Sequence, residues 1–379
     1  MRYTTYHAAL VALTAAAPTL HLERSTTLRT IELAPGTTKQ VTELEKNSLI
    51  KNGTHFIDIT DWPTAPARRP KRREYTYPTE LTQSETVLSI LAQLNQSDTE
   101  SNLNTLTSFN NRYYQSETGN QSAEWLLGQV RSYIPVNSPV RVGIFPHEYR
   151  QSSIVARIPG QSEKTIVVGA HMDSINGEAD VNRTTARAPG ADDNGTGSTT
   201  LLSAFRALLS HPSFSSAATL HTIEFHWYAA EEVGLLGSGN IFRSYAEANR
   251  SVVAMLNQDM TGYTAGYAAH NMTPKFGVVT DNTDALLTDF TRRVIGEYTS
   301  TEAADTQCGY ACSDHASATR AGFPSAFIFE GEMHGVNDNP YVHSAKDTVD
   351  TVDFGHVMEH ARLVVGFVVE LAFAALEER

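Results

Sequence analysis

The chain has 379 residues, of which 41% are hydrophobic, enough for one large α/β domain with appendages. Its formal net charge of -13 at pH 7 argues against nucleic acid as a partner. The charge is uneven, because residues 1–76 hold 11 Lys and Arg against 7 Asp and Glu. A basic leader therefore precedes an acidic body.

The first residues have the pattern of a secretory signal peptide. Arg2 is followed by an apolar stretch at 8–15, and the small residues 15–17 offer a cleavage site. The apolar stretch is too short to span a bilayer. We therefore expect a signal peptide at 1–17, secretion to the extracellular space and no attachment to a membrane; a short buried N-terminal helix is the alternative.

Residues 18–76 are polar and include a Pro- and Arg-rich run at 64–73 without apolar periodicity. The paired basic residues of this run would suit a processing protease. We expect residues 18–76 to be a propeptide that docks on the acidic body and either assists folding or masks the cleft, and residues 77–379 to be the catalytic domain. The alternative is an N-terminal extension that stays attached.

From residue 79 onward, helical and strand patterns alternate along the chain. Apolar residues at spacings of three and four predict helices near 81–95, 99–110, 120–133, 196–210, 237–248, 283–296, 313–321 and 354–377. Alternating or continuous β-branched runs predict strands at 140–145, 153–158, 165–170, 220–228, 251–256, 276–279 and 325–329. The order predicts a single α/β domain with a mostly parallel mixed sheet sandwiched between helices.

Imidazoles and carboxylates follow the carboxyl ends of these predicted strands. His171 follows the strand at 165–170, Glu231 and Glu232 the strand at 220–228 and Asp259 the strand at 251–256, while His343 lies beyond the strand at 325–329. Asp192 and Asp193 lie in a Gly-rich turn that opens a helix. Functional residues of such sheets gather at this edge, so we expect these imidazoles and carboxylates to meet.

Two histidines and three carboxylates suit a site for two zinc ions. Zinc binds His nitrogen and carboxylate oxygen, and a bridging carboxylate would give each ion one His and one further carboxylate. Two ions at such a site can activate a shared water. Of the adjacent Glu231 and Glu232, one could then bind metal while the other faces the water as general base, and Asp173 could fix the orientation of His171.

The sequence resembles the secreted leucine aminopeptidases of bacteria and fungi with co-catalytic zinc, most closely the fungal members. The resemblance covers roughly residues 79–377 and rests on His171-Met-Asp-Ser, Pro189-Gly-Ala-Asp-Asp-Asn-Gly, Ala230-Glu-Glu-Val-Gly-Leu-Leu-Gly-Ser, Asn257-Gln-Asp-Met, Cys308-Gly-Tyr-Ala-Cys-Ser-Asp-His and His343-Ser-Ala-Lys-Asp-Thr. It implies the fold of the phosphorylase/hydrolase-like zinc exopeptidases.

The resemblance also implies a role for each matching residue. His171 and Asp259 would bind one zinc, Glu232 and His343 the other, and Asp193 would bridge them. Glu231 would be the base, and Tyr310 would donate a hydrogen bond to the developing oxyanion. The apolar side chains that would line a pocket for a leucine-like side chain are Met260, Cys312, Phe329 and Val342.

The chain has only two cysteines, Cys308 and Cys312. From spacing alone, they form either a disulfide in a tight turn or two separate thiols. The resemblance implies the disulfide, which would position Tyr310.

The implied activity is removal of N-terminal leucine or other large apolar residues from peptides with a free N-terminus, by a zinc-bridged water in a monomeric enzyme. The alternatives are a carboxypeptidase or a single-zinc acyltransferase of the same fold, and a receptor ectodomain without activity. A carboxypeptidase should present a cation to the substrate carboxylate, and only Lys346 lies close to the predicted ligands in sequence.

Two further motifs need separate interpretation. The triplet His356, Glu359 and His360 matches the inverted zinc-protease pattern, but on a helix away from the strand ends, so we interpret it as coincidental on a surface helix. Glycosylation sequons occur at Asn52, Asn95, Asn120, Asn182, Asn249 and Asn271, and also at Asn194. Asn194 lies inside the bridging-Asp motif, where a glycan would block the metals, so we expect it to be unmodified.

Overall fold

A computed structural model describes residues 27–34, 36–62, 73–178 and 180–379. The predicted signal peptide and most of the basic run at 64–73 lie outside the described residues. Among the described helices, none combines the length and apolarity needed to cross a bilayer.

Residues 27–62 form a small folded unit, called here the N-terminal unit. Its elements are β1 (Leu28–Ala34), β2 (Thr37–Thr42), α1 (Glu43–Lys51) and β3 (Ile57–Asp58), and its sheet has the order β2-β1-β3. Helix α1 begins with a capping box, in which Thr42 Oγ1 accepts the Glu45 N–H and Glu45 accepts the Thr42 N–H.

A buried ion pair joins the helix of this unit to its last strand. Lys46 is 1% exposed and its Nζ donates to Asp58 Oδ2 at 2.7 Å. Glu43 lies 3.5 Å from the same ammonium and also accepts a hydrogen bond from Arg29. Four charges of alternating sign therefore hold the interior of a unit that has few apolar side chains.

Residues 73–379 form the second part of the structure, called here the body. Its strands are β4 (Tyr75–Thr76), β5 (Arg141–Phe145), β6 (Ser153–Ile158), β7 (Ser162–His171), β8 (His221–Tyr228), β9 (Val252–Gln258), β10 (Lys275–Val279), β11 (Glu302–Thr306), β12 (Ser325–Phe329) and β13 (Glu377–Glu378). Its helices are α2 (Ser84–Leu91), α3 (Gln96–Ser108), α4 (Glu117–Ser132), α5 (Gly197–Leu209), α6 (Pro212–Ser215), α7 (Leu236–Glu247), α8 (Ala265–Ala269), α9 (Ala285–Tyr298), α10 (His315–Arg320) and α11 (Phe354–Ala372).

Eight of these strands form one sheet of order β11-β10-β12-β9-β7-β8-β6-β5. The neighbours from β12 to β8 run parallel, as do β10 and β11, and the remaining pairs are antiparallel. The predicted fold class is therefore confirmed. Strands β8, β9 and β12 are buried along their whole length, as expected for parallel strands covered on both faces.

Hydrophobic clusters cover both faces of the sheet. The larger one packs α5, α9 and α11 against the sheet and includes Phe205, Phe225 and Trp227, while the smaller one includes Phe242 of α7. The sheet is thereby held rigidly, and its strand ends become fixed points for attached side chains.

The two ends of the body pair with each other. Strands β4 and β13 are antiparallel, and the Arg379 N–H donates to Glu74 O at 2.9 Å. Tyr75 is 1% exposed and belongs to the large core cluster. Residues 73–76, which we assigned to the propeptide, therefore pack as part of the body.

One predicted boundary differs from the structure, and two groups of elements were not predicted. Helix α11 ends at Ala372 rather than 377, because the chain turns there to reach β13. The edge strand β11 was not predicted, since Glu302–Thr306 has the polar composition of a loop. No elements were predicted for the N-terminal unit, whose strands bury only isolated apolar residues such as Ile31 and Val41.

Candidate active site

The ends of the parallel strands bring the predicted ligands together. His171 is the last residue of β7, and Asp259 follows the last residue of β9. After β8 the chain turns sharply, with Ala230 at φ 56° and Gly234 at φ 105°, and this turn carries Glu231 and Glu232. The peptide bonds Asp193–Asn194 and Asp259–Met260 are cis.

Asp193 lies at the centre of the cluster. Its Oδ1 lies 3.2 Å from His171 Nε2, and its Oδ2 lies 3.0 Å from His343 Nε2. Asp259 Oδ1 lies 3.3 Å from His171 Nε2, and Glu232 Oε2 lies 2.9 Å from His343 Nε2. Each histidine thus faces one oxygen of Asp193 and one further carboxylate.

The neighbouring Asp192 turns away from this cluster. Its carboxylate accepts hydrogen bonds from the Asn339 side chain at 2.8 Å and from the Gly262 N–H at 3.0 Å. Of the two adjacent aspartates, Asp193 is therefore the one whose oxygens face both histidines.

The donor set fits two metal ions. Two groups of three ligand atoms form, one from His171, Asp193 and Asp259 and one from Asp193, Glu232 and His343, and the atoms of each group lie within 4.8 Å of one another. These are the nitrogen and oxygen donors that zinc prefers. Glu232 Oε1 is also buried without a hydrogen-bond partner among the described residues, which leaves its lone pairs open to a cation.

The electrostatics of the cluster are dominated by buried carboxylates. Burial lowers the pKa of His171, but the carboxylates around it, Asp259 first, outweigh this effect and hold the pKa well above its usual range. The carboxylate of Glu232 raises the pKa of His343 in the same way. Burial, with further help from Asp193, raises the pKa of Glu232 to about 7.

Glu231 and Asp173 lie beside these groups. Burial and the neighbouring carboxylates raise the pKa of Glu231 well above its usual value. Asp173 accepts the N–H of Glu231 at 3.0 Å and that of Glu232 at 3.3 Å. Its Oδ1 lies 3.4 Å from His171 Nδ1, long for a hydrogen bond but in the direction expected of an orienting carboxylate.

Comparison with known proteins identifies the family. A family model described as peptidase family M28 matches residues 153–368. The chain belongs to peptidase family M28. The matched residues include all five predicted ligands.

Individual relatives agree with this assignment. A probable leucine aminopeptidase of Arthroderma otae is 47% identical over 346 residues, covering 91% of this chain and 93% of the relative. The LapA aminopeptidase of Legionella pneumophila has 26% identity and a TM-score of 0.78, covering 92% of this chain and all of that chain. The predicted resemblance and the predicted metallo-aminopeptidase class are confirmed by this family and these relatives.

A further solved structure shares the fold alone. A glutaminyl cyclase of Porphyromonas gingivalis has 17% identity and a TM-score of 0.58, covering 74% of this chain and 99% of that chain. The sheet and helices of the M28 domain therefore occur in proteins of different activity, and function has to be argued from the site.

A cavity of about 460 Å³ opens over the ligand cluster of the M28 domain. The four residues predicted to form an apolar pocket all line it, namely Met260, Cys312, Phe329 and Val342. Cys308 and Cys312 form a disulfide with a Cα–Cα distance of 6.1 Å, and Tyr310 on the loop between them also lines the cavity. Burial, and to a smaller extent the charges of Glu231 and Asp259, raises the pKa of the Tyr310 phenol above its usual value.

The N-terminal unit reaches into this same cavity. Residues 53–56 line it together with Ile50. The ring of His55 stacks on Tyr310 with centroids 3.9 Å apart, and the Asp58 N–H donates to Gly234 O at 3.0 Å. In the sequence, this contact was indicated only by the opposite net charges of the basic leader and the acidic body.

The His356 and His360 pair lies on α11, away from the cavity. Contrary to our surface-helix interpretation, both rings are buried. His356 Nε2 lies 3.1 Å from Glu330 O, and His360 Nδ1 lies 2.8 Å from Gln258 Oε1. The pair packs α11 against the sheet and is not part of either three-ligand group.

The sequons divide by exposure. Asn194 is fully buried, with its Nδ2 donating to Gln258 O and its Oδ1 accepting the Gly197 N–H. Asn120 is partly buried on α4, and the exposed sequon residues are Asn52, Asn95, Asn182, Asn249 and Asn271.

Proposed function

We propose that the chain is a two-zinc aminopeptidase that removes leucine or other large apolar residues from the N-termini of peptides. The observation that supports this most directly is the placement of Asp193, whose two oxygens face two histidines, each completed by a further carboxylate. Zinc held by these residues would supply Lewis acidity and lower the pKa of a water molecule.

Glu231 would carry out the proton transfers. Its carboxylate lines the cavity beside the ligands, where it could accept a proton from the attacking water and then return it to the leaving amine. Asp173 holds its backbone N–H and so fixes the carboxylate at the edge of the cluster. The Tyr310 phenol stays protonated at neutral pH and can donate a hydrogen bond to the developing oxyanion.

The charge of the cavity favours a free amino terminus. The described residues that line it include four carboxylates around the cluster and neither Lys nor Arg. Lys346, the cation considered for a carboxypeptidase, is exposed and not among the lining residues. Bound zinc would offset the charge of these carboxylates, but a substrate carboxylate would still meet neither Lys nor Arg among the described lining residues, whereas a free amino terminus needs no such partner.

The apolar part of the cavity supports the preference for leucine. Met260, Phe329 and Val342 lie beside Phe327 and the disulfide, which offers a wide apolar wall next to the charged cluster. An apolar P1 side chain would lose contact with water there and gain about 25 cal/mol for each Å² buried.

Hydrolysis of leucyl-4-nitroanilide by the processed enzyme tests this proposal. We expect Glu231→Gln to lower kcat by roughly 10²–10⁴-fold, since it removes general-base catalysis, while zinc content stays at two per chain. Glu247→Gln on the exposed surface of α7 is the matched control. Two bound zincs with an intact anilide would refute the aminopeptidase activity, and cleavage of the acetylated substrate at an equal rate would refute recognition of the free amine.

We also propose that the N-terminal unit masks the active site until it is removed. His55 stacks on Tyr310, and residues 53–56 form part of the wall of the cavity that a substrate would enter. Further contacts hold the unit in place, including the Arg320–Glu32 ion pair, the bond from Arg183 Nη1 to Asn47 Oδ1 at 3.0 Å, and the apolar cluster of Ile57 and Ile59 with Leu235.

We also propose that the enzyme is secreted. An oxidising compartment would keep the Cys308–Cys312 disulfide, and five exposed sequons could carry glycans there. We propose that the enzyme is monomeric and that its N-terminal unit binds the body of the same chain. Glycopeptide mass spectrometry and light scattering of secreted protein would test these points.

A further inference from the structure

A fully buried arginine lies behind the ligand cluster. Arg112 is 0% exposed, and buried arginines usually pair with a carboxylate. Here the guanidinium donates to three backbone carbonyls instead. Its Nε bonds Met172 O at 2.7 Å, its Nη2 bonds Gly190 O at 2.7 Å, and its Nη1 bonds Pro189 O.

These carbonyls belong to the two loops that carry His171 and Asp193. Met172 directly follows His171, while the turn at Pro189 and Gly190 leads into Asp193. Gly190 has φ 54°, and a Cβ there would lie 2.8 Å from Arg112 Nη2, so the turn approaches the guanidinium closely. Arg112 itself is fixed, because Ser174 Oγ accepts its N–H at 3.0 Å.

A buried carboxylate holds the same turn from its other side. Asp347 is 1% exposed, and its Oδ1 accepts the Asp192 N–H at 2.9 Å while its Oδ2 accepts the Asp193 N–H at 3.0 Å. Asp347 lies four residues after His343. The carbonyls that precede Asp193 are therefore held by a cation, and the amides at Asp192 and Asp193 by an anion.

We infer that Arg112 and Asp347 are positioning residues that fix the Asp193 carboxylate between His171 and His343, and so determine how tightly both zinc ions bind. The inference rests on the proposed zinc site. Arg112 ties the Asp193 turn to the His171 loop, and Asp347 ties it to the His343 loop. Arg112 also places a positive charge near the carboxylates of Asp347, Asp173 and Asp193.

Equilibrium zinc binding, measured by competition with a chelator, tests this inference without reference to activity. Arg112→Lys keeps the charge but loses the planar fork that reaches three carbonyls. Asp347→Asn keeps the shape but replaces one acceptor with a donor that faces an N–H. We expect each change to weaken zinc binding by about 10–100-fold, as for other residues that orient metal ligands.

Arg141→Lys is the matched control. Arg141 also donates to backbone carbonyls, those of Ser138 and Val140, but it lies on the edge strand β5 and neither carbonyl adjoins a ligand. Its zinc affinity should stay within about twofold of wild type, because no ligand-bearing loop is disturbed. With Co²⁺ in place of zinc, the visible absorption bands should shift in Arg112→Lys and remain in Arg141→Lys, which a general loss of stability would not produce.

Two results would overturn the inference. One is a folded Arg112→Lys protein with wild-type zinc affinity and cobalt spectrum. The other, decisive if Arg112→Lys does not fold, is wild-type zinc affinity in Asp347→Asn. If the wild-type protein itself bound no zinc, the proposed function would fail instead, so the two failures are distinguishable.

Discussion

Replacing Lys46 with Met should activate the unprocessed chain. Lys46 lies inside the N-terminal unit, where it pairs with Asp58 at 2.7 Å and with Glu43 at 3.5 Å, and the active-site residues lie elsewhere. The substitution keeps most of the side-chain volume but leaves the buried Asp58 carboxylate without its cation, while Glu43 keeps only Arg29. It therefore acts on the stability of the unit rather than on catalysis.

The size of the effect follows from burial. Both partners of the pair are almost fully buried, with Lys46 1% exposed and Asp58 4% exposed. Breaking such a pair by removing one partner costs about 3–5 kcal/mol. A unit of this size is only marginally stable by itself, so this loss should unfold it or free it from the cavity in a large fraction of molecules.

The assay compares leucyl-anilide hydrolysis by the unprocessed Lys46→Met chain, the unprocessed wild type and the processed enzyme. We expect the variant to approach the processed rate while the wild type stays far below it. Lys39→Met, at an exposed position on β2, is the matched control and should behave as wild type. Hydrogen exchange that shows an unfolded N-terminal unit in a chain that is still inactive would refute the masking argument.

Three other outcomes are expected. Burial, with His343 and His334 nearby, lowers the pKa of His55 below 6.5. The contribution of His55 to docking of the N-terminal unit is therefore complete above about pH 6.5 and is lost as the pH falls. The activity of the unprocessed chain relative to that of the processed enzyme should rise from pH 7 to 5, and His55→Phe should flatten this profile. His356→Ala should keep full zinc content but lower the free energy of unfolding by about 1–3 kcal/mol in urea titrations, because a buried carbonyl loses its partner. Glycopeptide analysis should find Asn194 unmodified, since both of its amide atoms are bonded in the core.

The strands of the body were predictable because their burial dictates their composition. Residues 165–170 form a continuous apolar run, as a strand covered on both faces requires, and the structure has them inside β7. The ligand positions followed from the same logic, because parallel strand ends must meet at one edge. The sequence therefore indicated the location of the site as well as the type of fold.

Contacts between distant segments were not predictable in this way. Arg112 lies between two helices in a polar stretch, and its partners are backbone carbonyls, which leave no trace in side-chain patterns. Asp347 lay within a quoted motif but without a role. The strands of the N-terminal unit gain stability from charges and from docking on the body, so neither periodicity nor propensity predicted them.

The pairing of β4 with β13 limits how far a protease can shorten the chain. Glu74, Tyr75 and Thr76 hold the last residues of the polypeptide by backbone and side-chain hydrogen bonds, and the Tyr77 hydroxyl donates to Val253 O on β9 at 2.7 Å. Trimming beyond Glu74 would leave the carboxyl terminus unpaired and take an aromatic ring out of the core. The mature amino terminus should therefore fall before Glu74, because the first and last residues of the body stabilise each other by pairing.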